Sequence, residues 1–285
     1  MAHDPADPAR SADQDAGRQL ERVAVELANA AGAHLLRTLG TEISVSFKPP
    51  LPDAAPDSNL VSHVDLEIEE RIRREILARF PDHDVIGEEQ ERPPGAHAEI
   101  VWVIDPLDGT TNFVNGVPLF GSSIGVLRHG RPVAGAIWCA CTHTLRPGVY
   151  HAYFGGPLCF EGVPLERRPA GAWRGLAGEP GTTSKLAEHW DTRVLGSATL
   201  ELAFVAAGLL RLARFARPRM WDVAAGVVLA RSAGCEVVTT DGSRWIPLEG
   251  WTLPLRREWC APVVVGDPAA VRIATADLAP TTPPI

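Results

Sequence analysis

A chain of 285 residues with 45% apolar and 22% charged side chains can bury one large core, as a single domain or as two halves packed together, and excludes a fibrous or largely disordered protein. Thirty-five acidic against 27 basic residues leave a net charge of -8, which argues against nonspecific attraction to nucleic acid or to an anionic membrane. No apolar run reaches the roughly 18 residues of a bilayer span, and the first fifteen residues carry no signal-peptide core, so the sequence reads as soluble and cytoplasmic.

In chain order, residues 1–14, rich in Asp, Ala and Pro, read as a tail. Residues 19–39 form a first helix, with Leu20, Val23, Leu27, Ala31 and Leu35 at helical spacing and Gly40 closing it. Four prolines between positions 47 and 58 forbid a regular element there. Ser62 then caps a second helix whose stripe is Val64, Ile68, Ile72, Ile76, Leu77 and Phe80, with Asp65 in the first turn. Short strands are expected at 84–87, 100–104, 122–127, 133–139 and 148–154, giving a mostly antiparallel sheet flanked by helices. Beyond it, helices at 198–210 and 223–233 alternate with strands at 193–195 and 263–265. The division is therefore an N-terminal αβ half at 15–190, a smaller C-terminal αβ half at 191–275 and a Pro/Thr tail at 276–285. The five cysteines form no CxxC pair and lie in apolar runs, as free thiols do.

The densest chemical signal is Ile104-Asp105-Pro106-Leu107-Asp108-Gly109-Thr110-Thr111-Asn112-Phe113, directly after a predicted strand. Asp105 and Asp108 leave the strand end together, and Pro106 restricts the turn, so both carboxylates and the Leu107 carbonyl can converge on one volume. Like charges held so close need a cation between them. Oxygen donors without His or Cys suit Mg²⁺ better than Zn²⁺. Gly109 and Thr110 open a helical turn whose backbone N–H groups point at an incoming anion. Two further fragments are bland when read alone: Gly87-Glu88-Glu89 is an acidic turn, and Asp222 in Trp221-Asp222-Val223-Ala224-Ala225-Gly226 is a helix N-cap.

In this order the three fragments resemble the inositol monophosphatase family, whose members share GEE, then DPhDGTTNF with an apolar residue at h, then WDxAAG. The resemblance spans about residues 15–270 and implies an α+β protein with the layered αβαβα sugar-phosphatase fold, a large mixed or antiparallel sheet with a second, smaller αβ half. It implies that Glu88, Asp105 and the Leu107 carbonyl hold one Mg²⁺ and that Asp105, Asp108 and Asp222 hold a second, with Glu88 and solvent as the place of a third. Water activated at the metal is then oriented by Glu88 and Thr110 with Asp65 behind, and attacks phosphorus in line with the leaving oxygen. Lys48 resembles a loop lysine near the site. Sensitivity to Li⁺ and a homodimer also follow from the resemblance.

The substrate side departs from the family pattern. Phe215 stands where members that hydrolyse inositol phosphate carry a hydroxyl-binding Glu, and Arg211, Arg214, Arg217 and Arg219 cluster beside it. The cluster reads either as a solvated basic stretch or as a partner for a second anionic group, with Phe215 as an apolar face. Contacts to the substrate are expected from Asp108, Gly109, Thr110, Ala198, Phe215 and Asp222. The substrate is a small phosphomonoester, inositol phosphate by family default, with 3′-phosphoadenosine 5′-phosphate, a sugar phosphate or histidinol phosphate as alternatives. A noncatalytic binder of the same fold would have lost metal ligands, and none is missing.

Overall fold

The computed structural model describes residues 8–47, 60–90, 98–169, 175–178 and 185–277. The chain runs through α1 (Pro8–Thr38), β1 (Val45–Phe47), β2 (Leu60–Ser62), α2 (His63–Arg79), β3 (Asp84–Gly87), β4 (Ile100–Asp108), α3 (Thr110–Val114), β5 (Gly121–Arg128), β6 (Arg131–Cys139), β7 (Gly148–Tyr153), β8 (Cys159–Phe160) and β9 (Val163–Pro164). It continues through β10 (Leu176–Gly178), β11 (Asp191–Arg193), α4 (Ala198–Ala207), β12 (Leu212–Phe215), α5 (Met220–Ser232), β13 (Glu236–Thr240), β14 (Trp245–Pro247), β15 (Val263–Gly266) and α6 (Pro268–Asp277).

Strands β3 to β9 form a seven-stranded sheet in chain order, antiparallel except for the parallel β3/β4 pair. A six-stranded sheet in the order β11-β10-β12-β15-β13-β14 forms the second layer of strands. Helices α1 and α2 cover one face of the large sheet, α4 and α5 lie between the two sheets, and α6 covers the outer face of the smaller one. The result is the five-layer αβαβα arrangement. Strand β10 already belongs to the second sheet, so the boundary placed near residue 190 falls inside that layer.

Each helix takes its place from the face it must bury. On α1 the buried positions Leu20, Ala24, Leu27, Ala28, Ala31 and Leu35 recur at three and four residues and join Trp138 and Tyr153 in one cluster. This helix starts at Pro8 rather than at 19, inside the stretch read as a tail: Pro8 stands at the first position, where its missing N–H is not needed, and the Ala, Arg, Asp and Gln residues after it outweigh the single Gly17. Helix α5 has almost no polar face; Val223 to Ala230 are all buried. It packs close to the large sheet because the strands offer glycines there: a Cβ built on Gly125 would sit 2.7 Å from the Ala224 Cβ. That close approach sets the depth at which the first turn of α5 meets the strand ends. No helix among the described residues is long and apolar enough to cross a membrane.

Candidate active site

Backbone register gathers the acidic residues. The parallel β3/β4 pair aligns Gly87 with Ile104, and the Glu88 N–H donates to the Ile104 carbonyl at 3.2 Å. Glu88 and Asp105 therefore leave neighbouring strands side by side. The β4/β5 pairing is regular as far as Asp105 opposite Ser123 and resumes at Asp108 opposite Gly121, so an irregularity spans 105–108. A bulge of this kind re-aims side chains at a strand end. Asp222 arrives from the first turn of α5, where its Oδ2 accepts the Arg219 N–H at 2.7 Å.

Each carboxylate is engaged by the protein. Asp105 is buried, and its Oδ1 accepts the Leu107 N–H at 3.1 Å. Asp108 Oδ2 accepts the Ser197 hydroxyl and the Thr199 N–H, both at 2.6 Å, which ties the site to the N-cap of α4. Asp65, also buried, accepts the Ser62 N–H at 2.9 Å in a capping box on α2. Thr110 Oγ1 lies 3.1 Å from Asp65 Oδ1 and 3.0 Å from the Leu107 carbonyl, so the structure brings Asp65, Leu107 and Thr110 together. Gly109 turns the chain at φ +86, where a Cβ would meet the Leu119 carbonyl at 2.9 Å.

The charges interact. Burial pushes the Asp105 and Asp222 carboxyls well above the ordinary range, and the neighbouring carboxylates push them further, Glu88 and Asp108 acting on both. Asp108 is also raised by burial, against hydrogen bonds from Ser197 and Thr199 that lower it. Burial raises Asp65 as well, the Ser62 hydrogen bonds oppose that, and the Glu88 charge adds to it. Among the described residues, no three His, Cys, Asp or Glu side chains stand close enough to enclose one ion. The carboxylates share one electrostatic neighbourhood, but Asp105, Asp108 and Asp222 are each turned to a protein donor. As a donor set, four carboxylates and the Leu107 carbonyl, with no imidazole or thiolate, fit a hard divalent cation.

Two residues that shape this site carry no motif. Glu69 is fully buried on α2 and accepts the Glu89 N–H at 2.6 Å and the Gln90 N–H at 3.0 Å, while Arg73 bonds it at 3.2 Å. The signal available in sequence was an acid on the apolar stripe of Ile68, Ile72 and Ile76. From the other side Arg257 donates to the carbonyls of Gly87, at 3.2 Å, and Glu88, and its guanidinium stacks 5.0 Å from the Trp221 ring centroid. One side chain thus touches the segments that carry Glu88 and Asp222. No local pattern announces a contact 169 residues away along the chain.

On the substrate side the structure corrects the reading of Phe215. Alternation along β12 sends Leu212 toward α6, and Ala213 and Phe215 into the core beside α5. Phe215 is 5% exposed, packed with Met220, Trp221 and Val263, and so presents no face to a substrate. Arg211 is paired with Asp267, which Arg167 also bonds, and Arg219 donates to the Glu258 carbonyl at 2.9 Å. Ala198 opens α4, half-buried, next to the Ser197 that bonds Asp108. Lys48 and the Pro-rich stretch after it lie outside the described residues.

A model of the inositol monophosphatase family matches residues 17–276. Over 246 residues the chain is 34% identical to an inositol-1-monophosphatase of Mesorhizobium japonicum, which covers 79% of this chain and 87% of that one. Over 189 residues it is 32% identical to a fructose-1,6-bisphosphatase/inositol-1-monophosphatase of Aquifex aeolicus, covering 62% of this chain and 71% of that one. The crystal structure of the extragenic suppressor protein suhB from Bartonella henselae matches the fold with a TM-score of 0.71 at 26% identity, over 90% of this chain and 98% of that one. With three acidic fragments meeting at one end of the large sheet and a family match along nearly the whole length, the chain belongs to the inositol monophosphatase family.

Proposed function

We propose that this protein is a divalent-metal-dependent phosphatase that hydrolyses a small phosphomonoester at the acidic strand ends. The observation that carries the reading is that the charges of Glu88, Asp108 and Asp222 converge on the buried Asp105 carboxyl, and those of Glu88 and Asp108 on Asp222, beside the Thr110–Asp65 contact. Held by these four carboxylates and the Leu107 carbonyl, two Mg²⁺ ions would supply charge neutralisation and Lewis acidity at phosphorus, with Glu88 the place for a third. Thr110 Oγ1 orients the attacking water and relays its proton to Asp65 Oδ1, a carboxylate whose raised pKa equips it to accept one. Backbone N–H groups at Gly109 and Thr110 receive phosphoryl oxygens.

The alcohol of the substrate is a polyol such as inositol, as the names of the relatives indicate, with a sugar phosphate as the second class; one relative's name pairs a sugar bisphosphatase with an inositol monophosphatase. A homodimer in the cytoplasm and inhibition by Li⁺ belong to the same proposal. The test is phosphate release from a panel of inositol, sugar, nucleotide and histidinol phosphates, with and without Mg²⁺. Release that requires Mg²⁺ and disappears in Asp105→Asn supports the reading. Release that persists in chelator defeats it.

A further inference from the structure

The helix that brings Asp222 to the acidic site ends in the opposite chemistry. Nine residues on, about 14 Å along the axis at a rise of 1.5 Å per residue, Arg231 lines a cavity of about 450 Å³. The cavity is built from five distant segments: the start of α1, the turn between β5 and β6, the end of β7, the last turn of α5 and the stretch after β14. Three arginines face it, Arg128 from the end of β5, Arg131 from the start of β6 and Arg231, against a single acid, Glu249. Pro132, Val133 and Phe154 give it an apolar wall, and Phe154 stays 65% exposed there.

Two of these arginines are anchored by protein groups. The Arg231 guanidinium donates to the Leu248 carbonyl, and Arg128 lies 3.5 Å from Glu99 on its outer side. Burial and the like charge of Arg131 lower the pKa of Arg231, while Glu249 acts in the other direction. In a chain of net charge -8, guanidinium groups gathered around a hollow stand against the overall field. Planar forks beside an exposed aromatic ring bind carboxylate, phosphate or sulfonate bidentately while the ring covers an apolar body.

We infer that this cavity is a second binding site, remote from the acidic strand ends, for a small organic anion with an aromatic or apolar body. The ligand's charge sits among Arg128, Arg131 and Arg231 and its ring lies against Phe154 and Val133. The inference does not depend on the phosphatase reading, since none of these residues touches the acidic cluster.

The probe that tests it is naphthalene-2-sulfonate, titrated calorimetrically into the full-length protein, with the neutral naphthalene-2-sulfonamide beside it. Expected are one saturable site for the sulfonate and at least tenfold weaker binding of the sulfonamide. Arg131→Glu, at an exposed position, and Phe154→Ala each weaken the sulfonate at least tenfold, whereas the same charge reversal at the exposed Arg193 outside the cavity changes it less than twofold. Asp105→Asn leaves binding intact. Equal binding of the two naphthalenes, equal loss in Arg131→Glu and Arg193→Glu, or displacement of the sulfonate by inorganic phosphate with Mg²⁺ overturns the assignment.

Discussion

The two ends of α5 invite comparison. At its start, Asp222 joins carboxylates from two strand ends; at its finish, Arg231 joins guanidinium groups from two others. Both gatherings bring like charges together, but they differ in depth and in support. The acidic end is deep: Asp105 and Asp65 are buried, and the Glu88 turn is fixed by Glu69 on one side and Arg257 on the other. The basic end is shallow, with Arg131 exposed and one apolar wall open to solvent. Burial makes repulsion expensive, so a deep cluster of carboxylates is retained where a cation is to be held, while a shallow basic cluster costs little and can wait for an anion. The contrast predicts strong effects at one end of the helix and mild ones at the other.

The largest effect belongs to Asp105→Asn. It removes several kcal/mol of transition-state stabilisation, about three orders of magnitude in kcat, while leaving the melting temperature equal or higher, because a buried, repelled carboxylate is gone. Phosphate release and calorimetry on the same preparation read both. A variant that keeps its activity places the chemistry away from this end of α5.

Next come the residues of the proton relay. Thr110→Ala and Asp65→Asn each lower kcat about a hundredfold, and the double variant costs little more than either, since the two act as one unit. Additive losses would separate them.

Arg257 sharpens the comparison, because it supports the acidic end from outside the motifs. Arg257→Ala weakens Mg²⁺ binding about tenfold or more, read by calorimetry rather than by turnover, and Arg257→Lys rescues it only in part, as a lysine lacks the fork that spans two carbonyls and the flat face that stacks on Trp221. Unchanged metal affinity in the alanine variant would reduce Arg257 to packing.

The smallest effect is on stability against pH. Folding raises the pKa values of Asp105, Asp108 and Asp222 above those of the unfolded chain, so the stability they contribute is complete below about pH 4 and is lost as pH rises through the folded values. Chelator-treated protein therefore melts lower at pH 8 than at pH 5, and Mg²⁺ lifts the melting temperature more at pH 8, by about 2–4 °C for each kcal/mol. A Mg²⁺ effect that shrinks with rising pH would contradict the like-charge account.

The sequence by itself determined the parts that depend on neighbours along the chain. Periodicity and turn residues located α2, β3 to β7 and the two helices that carry Ser197 and Asp222, because local hydrophobic pattern is what those elements are made of. The contiguous strings around Glu88, Asp105 and Asp222 were legible for the same reason. What only the tertiary structure decided lies in contacts across the fold. Phe215, a plausible apolar face in a one-dimensional reading, turns inward because the pleat of β12 faces a helix layer that sequence cannot place. Glu69, Arg257 and the arginine-lined cavity depend on strand register and on how deeply α5 sinks against Gly125, and those are set by packing of distant segments, where no periodicity along the chain carries the information.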